Sequence, residues 1–491
     1  MSLYTDTSEI IPSITASRWQ RLGSIVRIFQ NPVTFLTTAQ QRYGEVFQLS
    51  ARPYRSLFAP IPHPTRTIFV FGEEHIHQLM RDTETFHQVP LVGKLLPQRP
   101  TNCPYHSALR RLGQGLLSLN DEAHTKARQL MMPAFRRKQV DQYAPEMTSI
   151  INRKLDQWAD KETVDIQDEV SQIVLYTAGR VLLGVDFRGS YARLGQLIQQ
   201  WLHLMSNPAL FMLPHNIPGT PYNRFLKLSL QLNEAFSQLI DWRRSRPREE
   251  WSNDVLSILL QATNGEGEGF RDEEIVGHLH TLFAAGMEST CNALVWMLLL
   301  LNQHPRVAQN LYEEIDKVLH GALPFAADLE QLPYLDMVVK EGLRLAPALM
   351  SLRTTSQETQ IGQYEVGRGS EIVFSHFHTH RNPAVYKDPY MFVPERWESI
   401  NPSPYEYIPY SNGRRMCIGA AYAQMQMKLF IAMVIQRYRV QFAPQLQLDP
   451  IYNVTIGLKP KMSVALHPQD GLFWRSKSEL SGGVTELVHF A

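Results

Sequence analysis

The chain has 491 residues, 44% of them hydrophobic and 19% charged, with 48 basic against 47 acidic side chains and a formal net charge of +1. This is ordinary for a globular enzyme with a large core, and it excludes a global electrostatic attraction for nucleic acid or membrane. Three widely spaced cysteines, Cys103, Cys291 and Cys417, exclude a disulfide framework, make a structural zinc site unexpected and suit a reducing compartment.

Residues 1–15 show no basic stretch followed by an apolar core, so no signal peptide is expected. Residues 19–36 mix apolar and basic side chains. That composition could touch a membrane surface, but a surface segment packing on the body is the favoured reading. Residues 46–49 and 67–71 read as a strand pair around a Pro-rich insert at 51–64. From about residue 120 helical periodicity dominates. Helices are expected at 121–132, stopped by Pro133, then at 142–158 and 170–183. An apolar helix at 194–213 ends at Pro214, and an amphipathic one covers 222–246, with a Pro- and Gly-rich loop between them. Residues 271–302 form one long helix, opened by Asp272, Glu273 and Glu274 and closed by His304-Pro305. Helices at 307–319, 334–345 and 418–438 follow, with a second strand pair over 359–374. The longest unbroken apolar run, 293–301, is nine residues, whereas a membrane span needs roughly 20. The fold class is therefore mostly α with small β-sheets, and residues 469–491 have no assignable place.

Cys417 is the most informative residue. It lies in Tyr410-Ser411-Asn412-Gly413-Arg414-Arg415-Met416-Cys417-Ile418-Gly419. Gly413 and Gly419 let backbone pass close to the sulfur, and a helix follows at once. The helix N-terminus should lower the thiol pKa, and loop N–H groups can hydrogen-bond the sulfur. A lone thiolate with no second ligand nearby suggests haem rather than an iron–sulfur cluster. An isolated Cys-x-Gly would be read as a buried cysteine in a capping loop; the ten-residue context is what points to iron.

With Tyr410, Gly413, Arg415, Cys417 and Gly419 at fixed offsets, the chain resembles the cytochrome P450 family. Tyr410 stands where the family usually has Phe. The resemblance covers roughly residues 30–468 and implies a single domain of the cytochrome P450 fold, with 1–29 an N-terminal extension and 469–491 a tail of unknown role. It implies haem b, with Cys417 as axial ligand to the iron, and O2 as co-substrate. Glu341 and Arg344 share a helix face; the resemblance implies that they are buried together with Arg396 as a structural lock. His124 and Arg128, one helical turn apart, are implied to meet the haem propionates, with Arg353 and Arg415 as further candidates.

Phe283-Ala284-Ala285-Gly286-Met287-Glu288-Ser289-Thr290 interrupts the long apolar helix. Read locally, it is a helix with satisfied internal hydroxyls. The resemblance implies instead the distal haem wall. Ala285 and Gly286 would allow close approach to the iron-bound ligand, and Glu288, Ser289 and Thr290 would deliver protons. Ser289 replaces the usual Thr. The expected substrate pocket comprises Leu282, Met287, Ala348, Leu349, Met350 and Ile456, roofed by residues 100–120 and 204–221.

The expected reaction is monooxygenation of a hydrophobic small molecule, fatty-acid or terpenoid-like. Alternatives are a peroxygenase or isomerase on the same fold, or a haem-bound carrier or sensor. Electrons should come from a ferredoxin or flavodoxin with its reductase, docking on Arg136, Arg137, Lys138, Arg414 and Lys428 if these form a patch rather than scattered surface charge. A cytoplasmic monomer is expected, without nucleic acid or transmembrane segment and with at most weak membrane association.

Overall fold

The computed structural model describes residues 10–58, 64–89, 91–97, 103–265 and 267–490. Parts of the N-terminal stretch, the Pro-rich insert and the expected roof (1–9, 59–63 and 98–102) lie outside the described residues.

The body is built on the helix Asp272–Gln303, 32 residues long. Its start is fixed by three acidic residues in the first turn, and Glu274 accepts a hydrogen bond from the Arg271 N–H at 2.8 Å. Leu294 to Leu301 are buried all round, as befits a core helix. By length and composition this helix could cross a bilayer, but most of its apolar window is enclosed by the rest of the protein. The helices Ile166–Leu183, Pro221–Arg244, Pro333–Leu345 and Ala420–Arg437 pack against it.

A six-stranded sheet lies to one side, in the order Ser13–Thr15, Val46–Ser50, Thr67–Val70, Glu371–Phe374, Ser351–Thr355, Phe86–Gln88. Val46–Ser50 and Thr67–Val70 pair antiparallel, as the insert between them suggests. The stretch 359–374 divides differently from expectation. Thr359–Ile361 and Tyr364–Val366 form a small hairpin, while Glu371–Phe374 runs parallel to Thr67–Val70 in the main sheet. The expected helix at 194–213 is two, Ala192–Met205 and Pro208–Met212. Asn207 caps the second by accepting from the Ala209 N–H at 3.0 Å, and Pro208 takes its first position. Within the expected roof, residues 104–112 form the helix Pro104–Leu112.

Neither end is an appendage. Ser13–Thr15 joins the main sheet, and the helix Arg18–Gln30 packs on the body through Ser24 and Ile28. At the other end Glu479–Ser481 pairs with Gln445–Gln447, and Val484, Leu487 and Val488 are buried. The Arg381 guanidinium donates to the Leu487 carbonyl at 2.9 Å. The last segment thus closes the core, which its short turns and lack of period conceal in sequence.

Candidate functional site

The cysteine loop is shaped by backbone. Gly413 has φ +68°, and a Cβ there would lie 2.9 Å from the Met80 carbonyl oxygen. Only glycine fits both constraints. Ser411 also adopts positive φ, at 58°. The Cys417 N–H donates to the Tyr410 carbonyl at 2.8 Å, closing the loop. The helix that follows is Ala420–Arg437 rather than one starting at 418.

Cys417 is reachable by solvent, yet surrounding protein pushes its thiol pKa up. The expectation of a lowered thiol pKa fails because desolvation outweighs the Gly419 N–H and the Arg128 charge, which act in the opposite direction. A metal would reverse this, since a coordinating thiol is deprotonated outright. The Tyr410 ring is buried beside the sulfur. Burial and the Cys417 charge push its pKa up, with the Gln424 side chain acting in the opposite direction.

Beneath the loop, Glu341, Arg344 and Arg396 meet. Glu341 and Arg344, each fully buried, form a two-pronged pair at 2.8 and 2.9 Å. Arg396 Nε donates to Glu341 Oε1 at 2.9 Å, and Trp397 Nε1 to Oε2 at 3.0 Å. Arg344 spends its remaining donors on the His380, Pro389 and Met391 carbonyls at 2.7–3.0 Å. The charges are buried but compensated on every side, which holds the segment before the cysteine loop.

His124, Arg128, Arg353 and Arg415 gather on one side of the loop. Arg128 Nη1 donates to the Met416 carbonyl at 2.7 Å. Arg353 is buried, with Nη1 on Gln88 Oε1 at 2.5 Å and Nε without a partner. Arg415 Nη2 donates to Asn120 Oδ1 at 2.6 Å. Burial holds Arg353 and Arg415 down to about 10, and each is further depressed by a neighbouring arginine. His124 is held down to about 4 by burial and by both Arg415 and Arg128, which favours the neutral imidazole. Gln88 and Asn120 were not legible in sequence. Asn120 stands at the N-cap of the helix Asp121–Met131 but makes no capping bond. Its side chain ties Gln88 to Arg415 instead.

On the long helix, Ala285 is exposed among core residues, and no atom lies within 4 Å of a Cβ built on Gly286. Here the helix borders open space. Ser289 Oγ donates to the Ala285 carbonyl at 2.7 Å, while Glu288 turns to the chain segment after Tyr452. The acid and the hydroxyl therefore diverge. Burial raises the Glu288 pKa, opposed by hydrogen bonds from Thr455 and Asn453. Asn292 Nδ2 holds Thr455 Oγ1 at 2.8 Å. Thr290 is buried. Of the expected pocket residues, Leu282, Ala348 and Met350 keep some open surface, whereas Met287, Leu349 and Ile456 are closed into the core.

The expected basic patch is largely neutralised. Arg137 pairs with Asp141 and Glu330, Lys428 with Asp336, and Arg414 lies 3.9 Å from Glu84. Arg136 and Lys138 remain exposed.

Three arginines crowded together, none in an ion pair among the described residues, call for a buried dianion. An enclosed thiol beside them calls for a metal. Haem supplies both, its propionates to the arginines and its iron to Cys417, so the residues fit a haem-thiolate protein. The comparisons agree. The family model for Cytochrome P450 matches residues 15–466. Pentalenene oxygenase of Streptomyces avermitilis is 30% identical, covering 72% of this chain and 79% of its own. Cyclooctat-9-en-7-ol 5-monooxygenase of Streptomyces melanosporofaciens is 26% identical over 86% of this chain and 88% of its own. Retinoic acid bound cyanobacterial CYP120A1 superposes with a TM-score of 0.76 at 24% identity, covering 94% of this chain and 100% of that one, a likeness of fold. The chain belongs to the cytochrome P450 family. It is a monooxygenase that uses haem b and O2.

Proposed function

We propose that this enzyme hydroxylates or epoxidises a terpenoid-like substrate with electrons from a separate ferredoxin or flavodoxin system. The observation that carries the substrate class is that curated relatives over most of the chain are terpenoid oxygenases. The half-open apolar wall of Leu282, Ala348 and Met350 suits such a ligand. So do Phe211, Met212 and Leu213, exposed in the expected roof segment. A fatty acid would call for a cationic anchor; Arg52 and Arg55, in the Pro-rich insert, are exposed.

Bound haem supplies O2 activation, and the thiolate promotes O–O cleavage. Cys417 would be the ligand to its iron, and Arg128, Arg353, Arg415 and His124 would hold its propionates. Glu288, fed through Thr455 and Asn453, takes protons inward, and Ser289 or Thr290 passes them on. Ser289 must first leave the Ala285 carbonyl. That commitment favours one second reading, a peroxygenase that needs no proton relay.

The test is a spin-state titration with terpenoids and fatty acids, then turnover with NADPH and a ferredoxin system against turnover with peroxide. Terpenoids should shift the spin state and gain one oxygen atom in the reductase-driven reaction. A response to fatty acids alone would overturn the substrate class. Product formed only with peroxide would move the assignment to the peroxygenase.

A further inference from the structure

We propose that the helix Arg18–Gln30 docks the protein on an anionic lipid surface, lying in the headgroup plane. Its sequence is RWQRLGSIVRIFQ. Trp19, Leu22, Val26 and Phe29 are exposed, the first by 80% and the last by 60%. At 100° per residue these four side chains fall within an arc of about 80°. A one-sided apolar stripe of this kind normally faces a core. Here it faces away, because the opposite side, Ser24 and Ile28, is the one buried against the body. The helix cannot turn the stripe inward without exposing that side.

The helix is also preformed. Ser17 and Gln20 make a reciprocal capping box, with the Gln20 N–H on Ser17 Oγ at 3.2 Å and the Ser17 N–H on Gln20 Oε1 at 3.1 Å. Docking therefore requires no ordering of a coil. With 13 residues it is too short to span a bilayer.

Charge identifies the occupant. The helix contains Arg18, Arg21 and Arg27 and no acidic residue. The neighbouring insert adds Arg52 and Arg55, both exposed. The insert is held beside the helix by Arg21 over the Tyr54 ring at 5.0 Å and by Phe29 against Phe58 at 5.8 Å. None of these five arginines forms an ion pair among the described residues. Elsewhere the surface arginines Arg137, Arg180, Arg188, Arg244 and Arg437 each hold a carboxylate. In a chain of net charge +1, an unneutralised arginine cluster around an exposed Trp–Leu–Val–Phe stripe is a local exception. Arginines at the rim with aromatic and aliphatic side chains between them match phosphate headgroups over acyl chains. Trp19 suits the boundary, where one edge of the indole is wet.

The test is co-sedimentation of the haem-loaded protein with vesicles of phosphatidylglycerol and phosphatidylcholine in equal parts, and with phosphatidylcholine alone. Binding is expected to the anionic vesicles, weakened by added salt. Two double variants separate the contributions, Trp19→Ser with Val26→Ser and Arg18→Glu with Arg27→Glu. Each should weaken binding by about tenfold or more. Their thermal midpoints and reduced-CO spectra should match the parent, because all four side chains point outward. Failure of the parent to sediment with anionic vesicles overturns the proposal, as does binding undiminished in both variants. Absence of vesicle binding with a salt-sensitive, Arg18- and Arg27-dependent complex with an acidic ferredoxin would give the face to a protein partner and equally overturn it.

Discussion

Glu288 is a carboxyl held above its usual range by burial, with Thr455 and Asn453 pulling it back down. Because the folded protein binds that proton more tightly than the unfolded chain, the contribution to stability is complete below the ordinary carboxyl value of 4.5. It is lost as pH rises through the folded pKa. Glu288→Gln keeps the shape and removes the charge. Its thermal midpoint should match the parent near the acid end and exceed it increasingly toward alkaline pH. Parallel curves would show that the carboxyl is not buried as described. In turnover the same variant should lose roughly a hundredfold in kcat if the carboxyl carries protons. Ser289 poses the complementary question. Its hydroxyl is engaged with the Ala285 carbonyl, a bond that serine rotamers leave easily and that threonine would restrict. Ser289→Ala should raise the peroxide released per NADPH consumed, whereas Ser289→Thr should lower it. If neither moves the ratio, the proton passes by Thr290 or water.

At the scale of elements, the lock below the cysteine loop joins the helix Pro333–Leu345 to the turn Pro394–Glu398. Arg344→Ala would leave the Glu341 carboxylate buried with Arg396 and Trp397 as its remaining side-chain partners. Breaking one member of a buried pair costs about 3–5 kcal/mol. The expected outcome is a protein that unfolds at clearly lower denaturant and retains little haem, read from the Soret absorbance per chain. Full retention would mean that the lock is dispensable. Much of this level was legible in sequence. Glu341 and Arg344 sit at helical spacing, and the acids of Asp272, Glu273 and Glu274 and the His304-Pro305 stop bound the long helix to within a residue. What was not legible has physical causes. The Asn207-Pro208 pair breaks an apolar run whose period continues through it. Gln88 and Asn120 reach Arg353 and Arg415 only through tertiary hydrogen bonds between distant segments. The thiol pKa depended on burial, which a helix-terminus argument alone does not weigh.

The whole molecule carries a set of buried neutral imidazoles that no single element explains. His278 and His280 lie on the long helix, and His376, His378 and His380 on and beside the short helix His376–Thr379. Burial depresses all five, His278, His280 and His376 to about 4, His378 to about 3 and His380 well below 6.5. The surroundings reinforce this. His380 Nε2 accepts the Ile408 N–H at 2.8 Å, so that nitrogen has no room for a proton. His376 faces Arg353, His378 faces Arg381, and His380 faces Arg344 and Arg381. Only Glu274 beside His278 pulls the other way by charge. Folded pKa values below the unfolded ones give stability that is complete above about pH 6.5 and is lost as pH falls toward 4. In that window the unfolded chain takes up protons that the folded one refuses. Each histidine contributes a slope of at most about 1.4 kcal/mol per pH unit. Glu288 and Glu314, whose carboxyls are raised, oppose this with the reverse sign. The depressed imidazoles, to which His124 and His304 also belong, outnumber these two carboxyls and leave acid destabilising. Urea unfolding followed by tryptophan emission should therefore show stability falling by several kcal/mol between about pH 6.5 and about pH 5, and His278→Gln should make that fall shallower. A stability flat across this interval would mean that the imidazoles are hydrated or already charged in the folded protein. It would also remove the reason to expect this fold to open before its surface carboxylates titrate.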